Sequence, residues 1–401
     1  MTVLTWTGKR HPCPADCRSG AVDCMVRIVG GCRALEDVVE VVIEFRLSVT
    51  RTIHATSILH AWGGKSWMSV DRSSVARMEV DEMEFSLEAK TMLGILHRLA
   101  RKKIRATHET IRAHDEWAQQ GKDDQSLNRA LDQLIEGALV SPTGNTYSLT
   151  TQGFAQAKQF LSEEFNTLMV ACEQSLTNRK LCQQVYGLDL CQFNMMSQVQ
   201  LDKLLEVMNL CQADHILDLG CGVGLVSEYI SDVTGARMLG IDFASAAIQR
   251  AQARTREKSE RLTYQVMDMD ELSLPAKSFS GVISIDTLYF VNDLPRTIRS
   301  VQACLHENGQ MGFFYSTKIA AGQTDESLAP DQTPLAKVLQ EHGLSFQTWD
   351  FTHDERDIWE KILQVAEALK PAFEAEGHLD IYEANVSEAR SLLEYVTSDV
   401  K

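Results

Sequence analysis

The stretch HILDLGCGVGLVSEYISDVTGARMLGID, residues 215–242, constrains the fold of this 401-residue chain more than any other. It begins as an apolar run typical of a buried strand and then passes through three glycines in five residues. A helical pattern follows, and a second apolar run ends at an aspartate. Glycine between a strand and a helix permits positive φ angles and lets a ligand approach bare backbone. The stretch therefore predicts a strand–turn–helix–strand unit whose turn binds a ligand.

Strand and helix patterns keep alternating beyond this unit, as far as the apolar run MGFFYST. Such alternation indicates right-handed crossovers and helices on both faces of a sheet. We therefore predict an α/β fold with a Rossmann-like, doubly wound, mainly parallel sheet. Ligands of such sheets bind at the carboxyl ends of the strands.

Changes of pattern divide the chain into four predicted segments. Residues 1–82 show little sustained periodicity and are predicted to be a poorly ordered extension without an assigned function. Residues 83–165 contain two amphipathic helical patterns and then two short strand-like runs around a turn, which together resemble a winged helix. Residues 166–210 are mostly helical, and residues 211–401 carry the alternating pattern with helical additions at its end.

Composition narrows the class of partner. A net charge of −16 argues against nucleic acid as the main partner, because a broad phosphate-binding surface is basic. No apolar run is long enough to span a membrane and no signal peptide is visible, so we expect a cytoplasmic protein. The cysteines at 13, 17, 24 and 32 form no CxxC pair, and we predict no metal site.

The spacing of the glycines indicates which type of nucleotide-binding turn this chain contains. A dinucleotide fingerprint needs its third glycine at the position of Leu225, and a P-loop needs a Lys followed by Ser or Thr, which is missing here. Asp218, Gly220, Gly222 and Gly224 instead form a DxGxGxG pattern. By this pattern and the runs that follow, residues 197–317 resemble the class I S-adenosylmethionine-dependent methyltransferases.

The resemblance implies S-adenosylmethionine as the cofactor. This compound carries an ammonium and a sulfonium but no phosphate, so its site needs backbone room and acceptor groups. Asp218 is expected to receive the ammonium, Asp242 the ribose hydroxyls, and Phe243 to lie against the adenine. The expected cofactor contacts are Tyr186, Asp218, Gly220, Cys221, Gly222, Gly224, Asp242, Phe243, Asp268, Met269 and Ile285.

Three roles in that set come only from the family. Asp268 and Met269 stand where relatives contact the adenine amino group and ring, and Tyr186, with Asn194, resembles an N-terminal lid over the cofactor. The alternatives remain open: the aspartates as turn caps, the glycines as packing positions, and the lid as an ordinary helix junction.

The run SIDTLYFVND after the fourth strand of the pattern supplies the predicted catalytic residues, Asp286 and Tyr289. A carboxylate there can orient a cationic or hydroxyl-bearing acceptor, and aromatic rings can face a charged methyl group. Phe290 stands where many relatives have His, and Ser280 replaces a common Asp. The alternative is that Tyr289 and Phe290 are core aromatics and that Asp286 anchors a loop.

The resemblance implies methyl transfer to N or O of a small molecule, without an obligatory metal. The helical additions suit either enclosure of the substrate or a homodimer contact. The alternatives are a nucleic-acid methyltransferase or DNA-binding regulator using the winged-helix-like segment, and a protein that binds the cofactor without transferring the methyl group. The final strand usual in the family is not visible after LSFQTWDFT, so the sheet is expected to lack an edge strand unless the chain is truncated.

Overall fold

A seven-stranded β-sheet organises the computed structural model, which describes residues 2–7, 85–101, 104–118, 121–193, 195–316 and 329–397. The described strands are β1 (Thr2–Thr7), β2 (Val140–Thr143), β3 (Thr146–Leu149), β4 (His215–Leu219), β5 (Arg237–Asp242), β6 (Leu262–Val266), β7 (Phe279–Ile285), β8 (Leu305–Ser316) and β9 (Phe346–Asp350). The sheet has the order β6-β5-β4-β7-β8-β1-β9, while β2 and β3 form a hairpin.

Helices surround the sheet. Those described are α1 (Leu87–Arg101), α2 (His108–Arg112), α3 (Asp115–Ala118), α4 (Asp124–Glu136), α5 (Thr151–Gln174), α6 (Leu176–Tyr186), α7 (Gln198–Met208), α8 (Leu225–Thr234), α9 (Ser245–Arg254), α10 (Leu294–Cys304), α11 (Pro334–Glu341), α12 (Thr352–Glu376) and α13 (Leu379–Thr397). No helix among these is both long and apolar enough to cross a membrane.

The five strands β6, β5, β4, β7 and β8 are parallel, which confirms the predicted Rossmann-like doubly wound fold. The chain builds outward from β4 to β6 and then returns to lay β7 on the other side of β4. Residues 216–219 of β4 are buried, as expected of a parallel strand covered on both faces. The reversal between β4 and β7 is a topological switch point, where ligands of such sheets bind.

A strand from the predicted poorly ordered extension belongs to the sheet, so that prediction is wrong for residues 2–7. β1 pairs antiparallel with β8, from Thr2 opposite Ser316 to Thr7 opposite Met311, and also with β9. The final strand was expected after β9 and is not described there, whereas β1 lies between β8 and β9. Residues 8–84, including the four cysteines considered above, lie outside the described residues.

The helices and hairpin predicted between residues 85 and 150 are confirmed. They share a core cluster that includes Met92, Leu96, Leu131 and Trp117. The helix α4 begins at an N-cap aspartate, Asp123, whose side chain accepts from the Ser126 amide at 2.8 Å. The winged-helix assignment itself stays a prediction.

A second helical layer joins the middle of the chain to its C-terminal part. α6 and α12 pack together in one core cluster with α13. At their junction the Glu376 carboxylate accepts from the Ser175 hydroxyl at 2.6 Å and from the Thr177 amide at 3.0 Å. This satisfies donors at the start of α6, where the helix dipole also favours a negative charge.

Candidate active site

The turn between β4 and α8 places its three glycines in different surroundings. Their φ angles are all positive: 75° at Gly220, 53° at Gly222 and 73° at Gly224. A Cβ on Gly220 would lie 2.6 Å from the Thr287 side chain. A Cβ on Gly224 would lie 2.4 Å from the Tyr264 ring, whereas one on Gly222 would meet nothing within 4 Å. Two glycines therefore allow close packing, and Gly222 borders space that a ligand can enter.

Asp242 closes this turn from the end of β5. Its Oδ2 accepts from the Gly222 amide and its Oδ1 from the Ala244 amide, both at 2.9 Å. The residue is only 4% exposed, and burial raises the pKa of Asp242. A carboxylate has about four acceptor sites, so these two amide contacts and a third from the Phe243 amide leave capacity for a ligand hydroxyl.

Asp218 and Cys221 are engaged within the turn. The Asp218 Oδ2 accepts from the Ser227 hydroxyl of α8 at 2.5 Å, and the side chain is 2% exposed. Burial raises the pKa of Asp218 to about 7, although the Ser227 hydrogen bond opposes the shift. The Cys221 amide donates to the Ile241 carbonyl at 3.0 Å. The Asp218 carboxylate thus lies against α8, and its contact with a cofactor ammonium stays a prediction.

Apolar side chains line the ends of β5 and β6. Phe243 is 43% exposed and stacks on Phe165 of α5, with ring centroids 5.9 Å apart and planes 26° apart. Val266, the last residue of β6, is 49% exposed. Met269 is half-buried against the neighbouring core cluster. Exposed apolar groups at the carboxyl ends of adjacent strands suit a flat aromatic ligand.

Asp268 has an ionic partner that the sequence did not reveal. The Lys158 Nζ of α5 lies 2.6 Å from the Asp268 Oδ2 and 3.7 Å from the Asp270 Oδ2. Asp270 also accepts from the Asn292 amide at 2.7 Å. The predicted adenine contact Asp268 is therefore tied to α5, and its neighbour Asp270 is tied to the segment after β7.

The predicted catalytic pair meets at the end of β7, where Ile285 is half-buried against the core. The Asp286 backbone has a φ of 54°, and its Oδ1 accepts from the Ser316 hydroxyl at 2.8 Å. The Tyr289 hydroxyl also hydrogen-bonds to this carboxylate. Burial raises the pKa of Asp286 to about 6, against the effect of these two hydrogen bonds. Burial, Asp286 and the more distant Glu388 all raise the pKa of Tyr289.

Tyr186 lies in the core below the glycine turn. It ends α6, is 2% exposed, and belongs to the same buried cluster as Val223 of the turn and Trp359 of α12. This position brings it near the predicted cofactor site, while its action as a lid stays a prediction. Asn194, its predicted companion, lies outside the described residues.

Several residues that support the site escaped the sequence analysis. Arg254 of α9 donates to the Val223 carbonyl at 2.7 Å and pairs with Glu228 and Glu173. Thr287 donates to the Leu219 carbonyl at 2.8 Å and so fixes the start of the segment after β7. No local pattern marks these residues, because each acts through a partner distant in sequence. No group of three or more His, Cys, Asp or Glu side chains in the described part of the chain could hold a metal ion.

Comparison with known proteins agrees with this geometry. Residues 216–309 match the family described as "Methyltransferase domain". These residues, the matched methyltransferase domain, begin in β4 and include the glycine turn, Asp242, Asp268 and the predicted catalytic pair.

The curated relatives cover part of the chain. A ubiquinone biosynthesis O-methyltransferase of Coxiella burnetii is 30% identical over 115 residues, which are 29% of this chain and 48% of that protein. Phosphoethanolamine N-methyltransferase 1 of Arabidopsis thaliana is 26% identical over 208 residues, 49% of this chain and 42% of that protein. The chain thus spans about half the length of the curated relatives it matches.

One solved structure is similar to more than half of the chain. Phosphoethanolamine N-methyltransferase 2 of Haemonchus contortus, in complex with phosphomonomethylethanolamine and S-adenosylhomocysteine, is 20% identical with a TM-score of 0.45. The similarity covers 59% of this chain and 58% of that one.

Proposed function

We propose that this protein is an S-adenosylmethionine-dependent methyltransferase that methylates N or O of a small molecule. The observation that carries the proposal is the glycine turn of the methyltransferase domain. Only Gly222 of its three glycines faces open space, and the Asp242 carboxylate lies against the Gly222 amide. Open space at Gly222 next to a buried acceptor is the arrangement that a cofactor site in this turn requires.

The residues present fit this cofactor. Asp242 retains acceptor capacity for the ribose hydroxyls, and Phe243, Val266 and Met269 offer an apolar surface to the adenine. The family-derived contacts of Asp218, Asp268 and Tyr186 belong to the same proposal. When bound, the cofactor supplies a methyl group on a positively charged sulfur, which leaves as a neutral thioether and needs no further activation.

Asp286 and Tyr289 receive the acceptor in this proposal. With its pKa raised to about 6, Asp286 is ionised at neutral pH yet basic enough to accept a proton from the acceptor. The Tyr289 hydroxyl holds the carboxylate in place. Glu355 and Glu388 add negative charge around Tyr289, which favours an acceptor that is cationic before it loses its proton.

Calorimetry with S-adenosylmethionine and S-adenosylhomocysteine tests the cofactor. We expect Asp242→Asn to weaken binding about ten- to a hundredfold, because hydrogen bonds to a charged group are worth about 1.5–3 kcal/mol each. Asp132→Asn, on an exposed position of α4, is the matched control and should bind as the wild type does. Absence of uptake by the wild-type protein would contradict the proposed function.

Transfer of a labelled methyl group to panels of amines and phenols tests the acceptor. We expect at least one small acceptor to be labelled, and Asp286→Asn to reduce kcat for it by about 10²–10⁴, the range for loss of a general base. If Asp286→Asn were as active as the wild type on every labelled acceptor, the role of Asp286 would be ruled out and the cofactor assignment would remain.

A further inference from the structure

The turn that carries Tyr289 is held by a residue outside the methyltransferase domain. This turn comprises Leu288–Phe290. Arg101, the last residue of α1, donates from its Nη2 to the Tyr289 carbonyl at 2.6 Å. Its guanidinium also lies 5.5 Å from the centre of the Phe290 ring, a distance that allows a cation–π contact.

The position of the Tyr289 carbonyl bears directly on the catalytic pair. Thr287 fixes the start of the turn by donating to the Leu219 carbonyl, and the Phe290 amide donates to the Thr287 carbonyl at 3.0 Å. Arg101 supplies the charge-assisted contact to the carbonyl of Tyr289, whose hydroxyl bonds Asp286. Movement of this carbonyl therefore moves the ring that holds the Asp286 carboxylate.

The far end of the same segment is tied to the N-terminal helices by a separate route. Asn292 donates to Asp270 through its amide at 2.7 Å and through its Nδ2 at 2.5 Å. Lys158 of α5 bridges Asp270 and Asp268. Two helices that precede the methyltransferase domain in sequence thus hold the segment 286–292 at separate points.

We propose that Arg101 is a positioning residue of the active site: it fixes the Tyr289 carbonyl and thereby the geometry between the Tyr289 hydroxyl and the Asp286 carboxylate. Its kinetic consequence rests on the proposed function, whereas its structural consequence does not. This gives α1 a role in catalysis, in contrast to the nucleic-acid function considered above for the winged-helix-like segment.

Three variants separate positioning from general stability. Arg101→Met keeps a long apolar stem and removes every donor, and Arg101→Lys restores the charge without the planar group. The control is Arg112→Met, because the Arg112 Nε pairs with Asp124 at a site where the two side chains are 51% and 64% exposed. Circular dichroism verifies that each variant is folded.

The first measurement is kinetic and uses the acceptor labelled in the panel above. We expect Arg101→Met to lower kcat about ten- to a hundredfold, since small misplacements near the reacting groups have effects of this size. Cofactor affinity should stay within about twofold, Arg101→Lys should recover part of kcat, and Arg112→Met should match the wild type. If Arg101→Met changed kcat no more than Arg112→Met does, the proposal would be overturned.

The second measurement needs no acceptor. With 3-fluorotyrosine introduced at Tyr289, the ¹⁹F resonance reports the surroundings of its ring, and amide exchange reports the order of residues 286–292. We expect a shifted resonance and faster exchange in Arg101→Met, and neither in Arg112→Met. An unchanged resonance in Arg101→Met would overturn the proposal even in a protein that failed to bind S-adenosylmethionine. That failure would by itself contradict only the proposed function.

Discussion

Replacement of single glycines in the turn after β4 separates packing from ligand binding. Gly224→Ala introduces a methyl group at a positive φ of 73° and 2.4 Å from the Tyr264 ring. Gly222→Ala introduces the same group at a positive φ of 53° into open space. Both changes carry the backbone cost of the left-handed region, about 1–2 kcal/mol. Only Gly224→Ala adds a collision.

The size of that collision follows from the surroundings of Tyr264. This ring is 6% exposed, and its hydroxyl donates to the Gly224 carbonyl at 3.0 Å. A Cβ at Gly240 would also lie 2.7 Å from the ring, so the ring packs closely against two backbone segments. Overpacking of a core costs about 1–3 kcal/mol, and Gly224→Ala should therefore lower the free energy of unfolding by about 2–5 kcal/mol.

Urea denaturation followed by circular dichroism measures these differences. Gly343→Ala is the control for backbone cost alone, because Gly343 has a φ of 68° with nothing within 4 Å of a Cβ. Gly222→Ala should match this control in stability but bind S-adenosylmethionine at least about tenfold more weakly, since its methyl group enters the proposed site. Gly224→Ala within about 0.5 kcal/mol of the control would refute the packing argument, and unchanged affinity in Gly222→Ala would refute the open side as a ligand site.

Two further predictions concern charge. Because burial raises the pKa of Asp286 to about 6, the carboxylate form is present above that pH and lost below it. A plot of kcat/KM against pH should therefore rise with a midpoint near this value, and a profile without that rise would argue against an ionised Asp286. Glu173→Gln weakens the ion pairs to Arg250 and Arg254 from a side chain that is 14% exposed, and should lower the free energy of unfolding by about 1–3 kcal/mol. Lys277→Gln, in a pair 66% and 83% exposed, should change it by less than about 0.5 kcal/mol, and equal losses would contradict the burial argument.

The parallel, doubly wound sheet could be predicted because its signals are local, and the glycine turn of the proposed site belongs to the same local pattern. The glycine spacing and the apolar runs on either side lie within 28 residues, from His215 to Asp242. The separate roles of the glycines could not be predicted in this way. They depend on Thr287, from the segment after β7, and on Tyr264 of β6, which the fold brings to the turn.

Side chains that complete the site from a distance carry no sequence signal of that role. Lys158 and Asp268 are 110 residues apart, and Arg101 and Tyr289 are 188 apart. A lysine in an amphipathic helix is most simply interpreted as solvated, and an arginine in a basic run suggests nucleic acid. Only the packing of α1 and α5 against the methyltransferase domain reveals that these cations contact backbone and carboxylate groups near the site.

The position of β1 shows why the neighbour of β8 in the sheet could not be predicted from the end of the chain. A strand beside β8 must offer amides and carbonyls in antiparallel register, and this requirement does not specify where in the sequence the strand lies. TVLTWT is rich in β-branched and aromatic residues and long enough to meet it, and Val3 accordingly lies opposite Tyr315 in β8 and Asp350 in β9. The six residues were not predicted as a strand, because they open a segment with little periodicity, and their place between β8 and β9 is decided by long-range pairing that no local pattern specifies.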